Sequence, residues 1–372
     1  MRTLLVFPEP PLPEGGASGR CALALIDGLR GHGVDLQVIA ARQEWAVRGD
    51  PPDRLGVEVV DVAPEPPGLQ PRLLSLTRPL GGLARSELAV RVREAAREAD
   101  VIHLEEISTA RLGDGLAVPV VTNLHYLVRR DRAFGAPWRR DFRHVLELAR
   151  AERWAIRSNR FLLASSPLVA DELRRRARRG TEIVLAPLSL DPRDYPAAPL
   201  DGPPVAGVIG NAAWPPTAAG IRRLVSDVWP RVRRLAPTAR LLVAGRGTAS
   251  LVEEAEGVQA LGEVPSAGEF LRGLALVLYP LERGSGMKVK VLEAIASGVP
   301  VVTTPSGAEG IIAEDGMVVE TDLERMALAA ASILLDEGER RERGAAARRA
   351  FERAYTPLPA TRPVADLYER MV

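Results

Sequence analysis

Short β-branched apolar runs alternate with helix-length stretches along this chain, and the alternation starts afresh near its middle. Near-continuous Val, Ile and Leu is what a strand needs when a parallel sheet is covered on both faces, so the pattern predicts an α/β protein with two doubly wound domains in tandem. The first set of strands is expected at Thr3–Phe7, Asp35–Ala40, Val57–Val62, Val101–Leu104, Pro119–Thr122, Phe161–Ala164 and Ile183–Ala186. Helices are expected between them at Ser18–Arg30, with Ser18 as cap and Gly31 at its end, and at about Leu83–Arg97, Trp138–Arg157 and Pro167–Arg178. The second set starts at Val205–Gly210. It continues through a helix from about Thr217 to Leu235 and strands at Arg240–Ala244, Val258–Leu261, Ala275–Tyr279 and Val299–Thr303. The stretch between the sets, rich in Pro and Asp and without apolar periodicity, reads as a linker. The expected plan is a first domain over 1–188, a linker over 189–204, a second domain over 205–355 and a closing helical segment over 356–372. Sheets of this type take ligands at the carboxyl ends of their strands, and a cleft between the domains is the expected site.

Bulk properties narrow the function. A chain of 372 residues exceeds what one core usually organises. With 46% hydrophobic and 26% charged residues it has globular composition, and a net charge of +1 gives no reason to expect a nucleic-acid partner. The single cysteine, Cys21, excludes an internal disulfide and a cysteine-based metal site, and His32, His103, His125 and His144 show no metal-ligand spacing. The apolar run at the N-terminus is too short for a signal sequence, and no stretch approaches the ~20 residues a membrane span needs. The expected location is the cytoplasm.

Of 49 basic side chains only two are lysine, Lys288 and Lys290, and both lie in Gly284-Ser285-Gly286-Met287-Lys288-Val289-Lys290-Val291-Leu292-Glu293. An ammonium is a compact charge with rotatable donors, suited to phosphate oxygens, where guanidinium is a broad planar fork. The stretch follows an apolar strand and is expected to open a helix at Gly286 that runs to about Ser297. Glycines at such a turn let backbone N–H groups approach an anion, and the helix end adds partial positive charge. Glu293, further along that helix, suits a ribose diol, whose two hydroxyls can donate to one carboxylate. Phosphate and ribose together describe a nucleoside diphosphate.

The segment from Gly284 to Val302, including Glu293-Ala294 and Gly298-Val299-Pro300, resembles the donor-site helix of retaining GT-B glycosyltransferases of the group 1 or family 4 type, in a Gly-Ser-Gly-x-Lys version. Gly15-Gly16-Ala17-Ser18-Gly19-Arg20, Val208-Ile209-Gly210-Asn211 with Trp214-Pro215-Pro216, Leu242–Gly247 and Leu261–Val264 are similar to that family at their own places. The resemblance implies two Rossmann-like domains facing across a cleft, with a closing helix, Thr361–Met371, that returns to the first domain. It implies transfer of a sugar from a nucleotide-diphosphate donor, with UDP- or GDP-sugar favoured, to a saccharide, glycolipid or natural-product acceptor, retaining and without metal or other cofactor. Cell-surface polysaccharide synthesis is the expected setting. One departure is plain. The first of the two glutamates common in this class would fall at Ser285 and is absent.

The site residues so implied are His125, Lys288 and Glu293 as catalytic groups. Gly284, Ser285, Gly286, Met287, Lys290, Arg246 and Asn211 would hold the donor, and Gly15, Gly16 and Glu105 the acceptor. His125 follows a strand, where its ring and backbone carbonyl would stand beside the transferred sugar. Glu106 is adjacent to Glu105. No Asp-x-Asp follows a strand to hold a divalent ion. Arg129, Arg130, Arg132, Arg139, Arg140 and Arg143 around Phe134 and Trp138, with Arg174–Arg179, could dock the first domain on anionic headgroups at the inner face of the plasma membrane. Two alternatives stay open on the same architecture: a nucleotide-sugar epimerase, and an inactive sugar-binding or scaffolding homologue.

Overall fold

Alternate residues of the first strand, Leu4 and Val6 on one side and Leu5 and Phe7 on the other, enter two separate apolar cores, which marks a sheet buried on both faces. The structure, a computed structural model, describes residues 1–13, 16–44, 49–64, 79–132, 135, 140–252 and 255–372. It divides into two units, Met1–Ser189 with Pro357–Val372, and Leu190–Thr356.

The first unit holds β1 (Arg2–Phe7), β2 (Asp35–Gln43), β3 (Val57–Val62), β4 (Val101–Glu105), β5 (Val120–Leu124), β6 (Phe161–Ala164) and β7 (Glu182–Leu185). All pairs are parallel, in the order β3-β2-β1-β4-β5-β6-β7. The order reverses between β1 and β4, so a crevice opens at their carboxyl ends. The main helices are α1 (Ala17–Gly31), α2 (Glu87–Ala95), α3 (Arg140–Ser158) and α4 (Pro167–Arg176).

The second unit repeats the scheme with β8 (Val205–Ile209), β9 (Arg240–Ala244), β10 (Val258–Gly262), β11 (Leu276–Tyr279), β12 (Val301–Thr303) and β13 (Met317–Val319). Their order is β10-β9-β8-β11-β12-β13, again parallel, with the switch between β8 and β11. Its longer helices are α5 (Pro215–Arg223), α6 (Val289–Ala296), α7 (Leu323–Leu335) and α8 (Glu337–Ala354). The chain then returns to the first unit as α9 (Pro357–Met371).

Several expected boundaries move. Ser18 does not cap α1: Gly16 is the capping residue, and the Ser18 hydroxyl donates to Glu9 instead. Gly31 is the last helical residue, and the left-handed position is Gly33, at φ 80°. The helix expected from Thr217 to Leu235 is broken by a π-turn at Leu224–Val228. Pro230 stands just after it, and a proline ring there would clash with the carbonyl one turn back in a continuous α-helix. α9 starts four residues before the expected Thr361, because Pro357 and Pro359 occupy its first turn, where no N–H is required. The stretch read as a linker packs within the second unit: Leu190 N–H donates to the Tyr355 carbonyl at 3.1 Å and Ala198 N–H to that of Ser297 at 2.8 Å.

Candidate functional site

At the switch point of the second unit, the loop Pro280–Lys288 joins β11 to α6. Its helix begins later than the glycines suggested. Gly286 has a φ of 70°, closed to a right-handed helix, and Lys288 is the capping residue of α6. The Val291 and Leu292 N–H groups both turn to the Lys288 carbonyl, at 2.8 and 3.0 Å, which leaves Val289 and Lys290 at the open end of the helix. Gly284, Ser285, Gly286 and Met287 are buried.

The two lysines have different partners. Lys288 Nζ folds back on its own loop and donates to the carbonyls of Ser285 at 3.1 Å and Gly286 at 2.5 Å. Lys290 Nζ reaches to Thr217 Oγ1 at 2.7 Å and to the Tyr279 hydroxyl at 3.3 Å, and stands 4.7 Å from the Tyr279 ring centre. A methyl group on Gly210 would lie 3.2 Å from that ammonium, so Lys290 sits directly beside the loop that follows β8. Gly245, at φ 114°, lies so close to this loop that a Cβ there would stand 1.9 Å from the Gly210 carbonyl oxygen. Only glycine fits. Asn211 Oδ1 accepts from the Ala213 N–H at 2.9 Å and so folds its own loop, while Arg246 pairs at 2.8 Å with Glu263, both largely exposed.

Glu293 is 3% exposed and accepts from the Tyr195 hydroxyl at 2.8 Å. Tyr195 is itself buried and its carbonyl accepts from Arg348 at 2.6 Å. The sequence carried no signal for this partner: it lies in the Pro- and Asp-rich stretch that lacks periodicity.

In the first unit the carboxyl ends of β4 and β5 build a second cluster. Glu105 and Asn123 are opposite each other in register, and His103 lies two residues before Glu105 on the same face. Asn123 Nδ2 donates to Glu105 Oε1 at 3.1 Å, and His125 Nε2 is 2.6 Å from Glu105 Oε2. His103 Nε2 approaches Oε1 obliquely at 2.9 Å, and its Nδ1 contacts the Tyr368 hydroxyl of α9. Burial alone would raise the Glu105 carboxyl, but the His125 charge and the bonds from both imidazoles outweigh it and hold the group well below the ordinary carboxylate range. Burial likewise lowers His125, and the Glu105 carboxylate overrides it, so the imidazole is raised.

Glu105 is thus committed to His125, His103 and Asn123 rather than open to an acceptor. Glu106 leaves the strand at φ 68°, and burial, with Glu9 and Glu105 nearby, pushes its carboxyl up to about 7 against the opposing His125 charge. The His125 carbonyl accepts from Ser165 Oγ at 2.8 Å. Gly16 caps α1 beside this cluster's Glu9–Ser18 contact; Gly15 lies outside the described residues.

Arg129, Arg130, Arg153, Arg157, Arg175 and Arg176 line a surface cavity of about 510 Å³ on the first unit. Phe134, Trp138 and Arg139 lie outside the described residues. No helix is long and apolar enough to cross a membrane among the described residues, which also hold no group of three His, Cys, Asp or Glu placed to bind a metal.

Two family models match. Residues 16–189 match the glycosyl transferase 4-like domain, and residues 203–336 match glycosyl transferases group 1. Comparison with curated proteins gives no match. Among solved structures, sucrose-phosphate synthase from Thermosynechococcus elongatus is similar over 100% of this chain and 99% of its own, with 16% identity and a TM-score of 0.75. HepE from Anabaena, in complex with UDP and glucose, covers 99% of each chain at 16% identity and a TM-score of 0.68. WaaG, a glycosyltransferase involved in lipopolysaccharide biosynthesis, aligns over 98% of this chain and 99% of its own at 16% identity and 0.67. At these identities the likeness speaks for the fold, and the two family models, in this order along two parallel-sheet units, supply the rest: the chain belongs to the GT-B glycosyltransferases.

Proposed function

We propose that this glycosyltransferase is a retaining, metal-independent enzyme. It takes a sugar from a nucleotide-diphosphate donor, a UDP- or GDP-sugar, and passes it to a saccharide, glycolipid or natural-product acceptor in cell-surface polysaccharide assembly. The observation that carries the reading is the convergence of the open end of α6, the Lys290 ammonium and the Gly210–Asn211 loop at one switch point. Charge that develops on a leaving diphosphate would meet a fixed ammonium and helix N–H groups in a half-buried setting, where such donors act most strongly. Glu293, steadied by Tyr195, is assigned to the ribose hydroxyls, and Ser285 and Met287 to the wall around the diphosphate. HepE, solved with UDP and glucose, supports a UDP-sugar as donor. His125 is assigned to the transferred sugar, and the arginine-lined cavity supports a peripheral contact with anionic headgroups.

Calorimetric titration with UDP, GDP, dTDP and ADP tests the donor assignment. One of these should bind with a dissociation constant between about 1 μM and 1 mM, the range in which enzymes hold their substrates. If none of the four binds at millimolar concentration, the donor site is misread. Donor breakdown or rearrangement without an acceptor would favour the epimerase.

A further inference from the structure

We propose that His103 and Tyr368 are positioning residues that act on His125 through Glu105, so that the C-terminal helix sets the orientation of the strand-end imidazole. The inference rests on the reading of His125 as part of the transfer site. His103 and Tyr368 are both 0% exposed, and Tyr368 belongs to the apolar core that includes Val364, Leu367 and Leu5. A buried imidazole and phenol cost free energy unless their polar atoms find partners. Here the phenol and His103 Nδ1 meet each other, and His103 Nε2, without a well-aligned hydrogen bond, has the Glu105 carboxylate 2.9 Å away, so the groups form a line. The Tyr368 hydroxyl meets His103 Nδ1, with the two rings edge to face at 5.9 Å. His103 Nε2 then meets Glu105, and Glu105 meets His125.

With His103 as the neutral imidazole, the line takes one set of protons. An ionised carboxylate only accepts, so the nitrogens that face Glu105, Nε2 of His103 and Nε2 of His125, must each carry hydrogen. His103 Nδ1 is then bare and accepts from the phenol, which keeps its proton because burial raises Tyr368 well above its ordinary value. Each donor polarises the next. The phenol makes His103 Nε2–H a better donor, His103 draws off part of the Glu105 charge, and what remains fixes the His125 ring and leaves its Nδ1 as the nitrogen uncommitted to Glu105. The charged groups that face His125 are Glu105 and Glu106, with Glu9 beyond Glu106.

The test follows the imidazole signals by NMR in the full-length protein without substrate, with exposed His144 as internal reference. Glu105→Gln should lower the His125 titration midpoint by about one unit or more, a tenfold change in its protonation. Tyr368→Phe should move it the other way, by about half a unit, because His103 becomes a poorer donor and more of the Glu105 charge falls on His125. In transfer assays Tyr368→Phe should lower kcat several-fold, leave the donor KM unchanged, and shift the kcat–pH curve in step with the NMR midpoint. Opposite shifts in two near-isosteric variants are not what loosened packing would give. A midpoint that is unchanged or lowered in folded Tyr368→Phe overturns the proposal, and that variant carries the test alone if Glu105→Gln does not fold. Midpoints that move as expected in a protein that transfers no sugar would overturn the functional reading and leave this one standing.

Discussion

Lys288 and Lys290, two residues apart, bring different chemistry to one loop. Lys288 holds the loop's own carbonyls, so a phosphate would have to draw it away from Ser285 and Gly286. Lys290 rests on two hydroxyls and an aromatic face beside Gly210, and an arriving phosphate would meet it with little rearrangement. Lys290→Ala should therefore weaken nucleoside-diphosphate binding by ~1.5–3 kcal/mol, the range for a hydrogen bond to a charged group. Lys288→Ala should cost less in affinity. Calorimetry on both variants checks this, and unchanged affinity in Lys290→Ala would move the phosphate elsewhere. Glu106 gives a second expectation. Its carboxyl titrates near 7 in the fold against 4.5 ordinarily, so between those values the folded protein binds the extra proton and stability falls as pH rises. His125, raised for its own reason, adds to the fall above its unfolded value. Unfolding free energies from urea titrations at pH 5 and pH 8 should differ, and Glu106→Gln should shrink the difference by on the order of 2 kcal/mol. Residues such as these were legible as types and positions, whereas their partners were not. Tyr195 and Tyr368 reach Glu293 and His103 across 98 and 265 residues, and no local pattern encodes a pairing fixed by the way helices and loops pack.

Several strands were legible from their apolar runs. β6, buried at every residue, has the bounds its apolar run suggested, because a strand covered on both faces must be apolar throughout, and the edge strand β3 and the partly buried β9 have theirs as well. β13 was missed, being three residues of half-exposed sheet margin with too little pattern to show. Helix ends went astray at prolines, which act as breakers or as first-turn residues according to packing that the sequence leaves unspecified. The contact of α1 with α9 shows how narrow such packing is. A Cβ on Gly28 would stand 2.4 Å from the Pro357 carbonyl oxygen and 2.5 Å from Thr361 Oγ1, atoms of a helix that cannot yield locally. On Gly31 it would meet only the tip of Leu358, at 2.6 Å, which can turn away. Alanine raises helix propensity by ~1 kcal/mol at either place. Overpacking should reverse that at Gly28 and leave a net loss of ~1–3 kcal/mol. Gly31→Ala should be near neutral. Thermal unfolding of the two variants decides, and equal transitions would mean that α9 is free to shift.

At the scale of the whole molecule, the same topology occurs twice, and each copy carries different chemistry at its switch point. The first gathers carboxylates and imidazoles at the ends of β4 and β5, and the second gathers ammonium groups and helix N–H groups after β8 and β11. A leaving diphosphate needs positive charge, and in the second unit Lys290 and the start of α6 can supply it as fixed groups, joined by Lys288 once it is drawn from its loop carbonyls. The expectation for the complete enzyme is that transfer persists in excess chelator and that the product keeps the donor's anomeric configuration. Proton NMR of the anomeric coupling, recorded with and without chelator, measures both in one experiment. An inverted product would remove the chain from the retaining class while leaving its donor site intact. Activity lost in chelator and restored by a divalent ion would mean that the lysines do not suffice for the diphosphate and that a metal shares its charge.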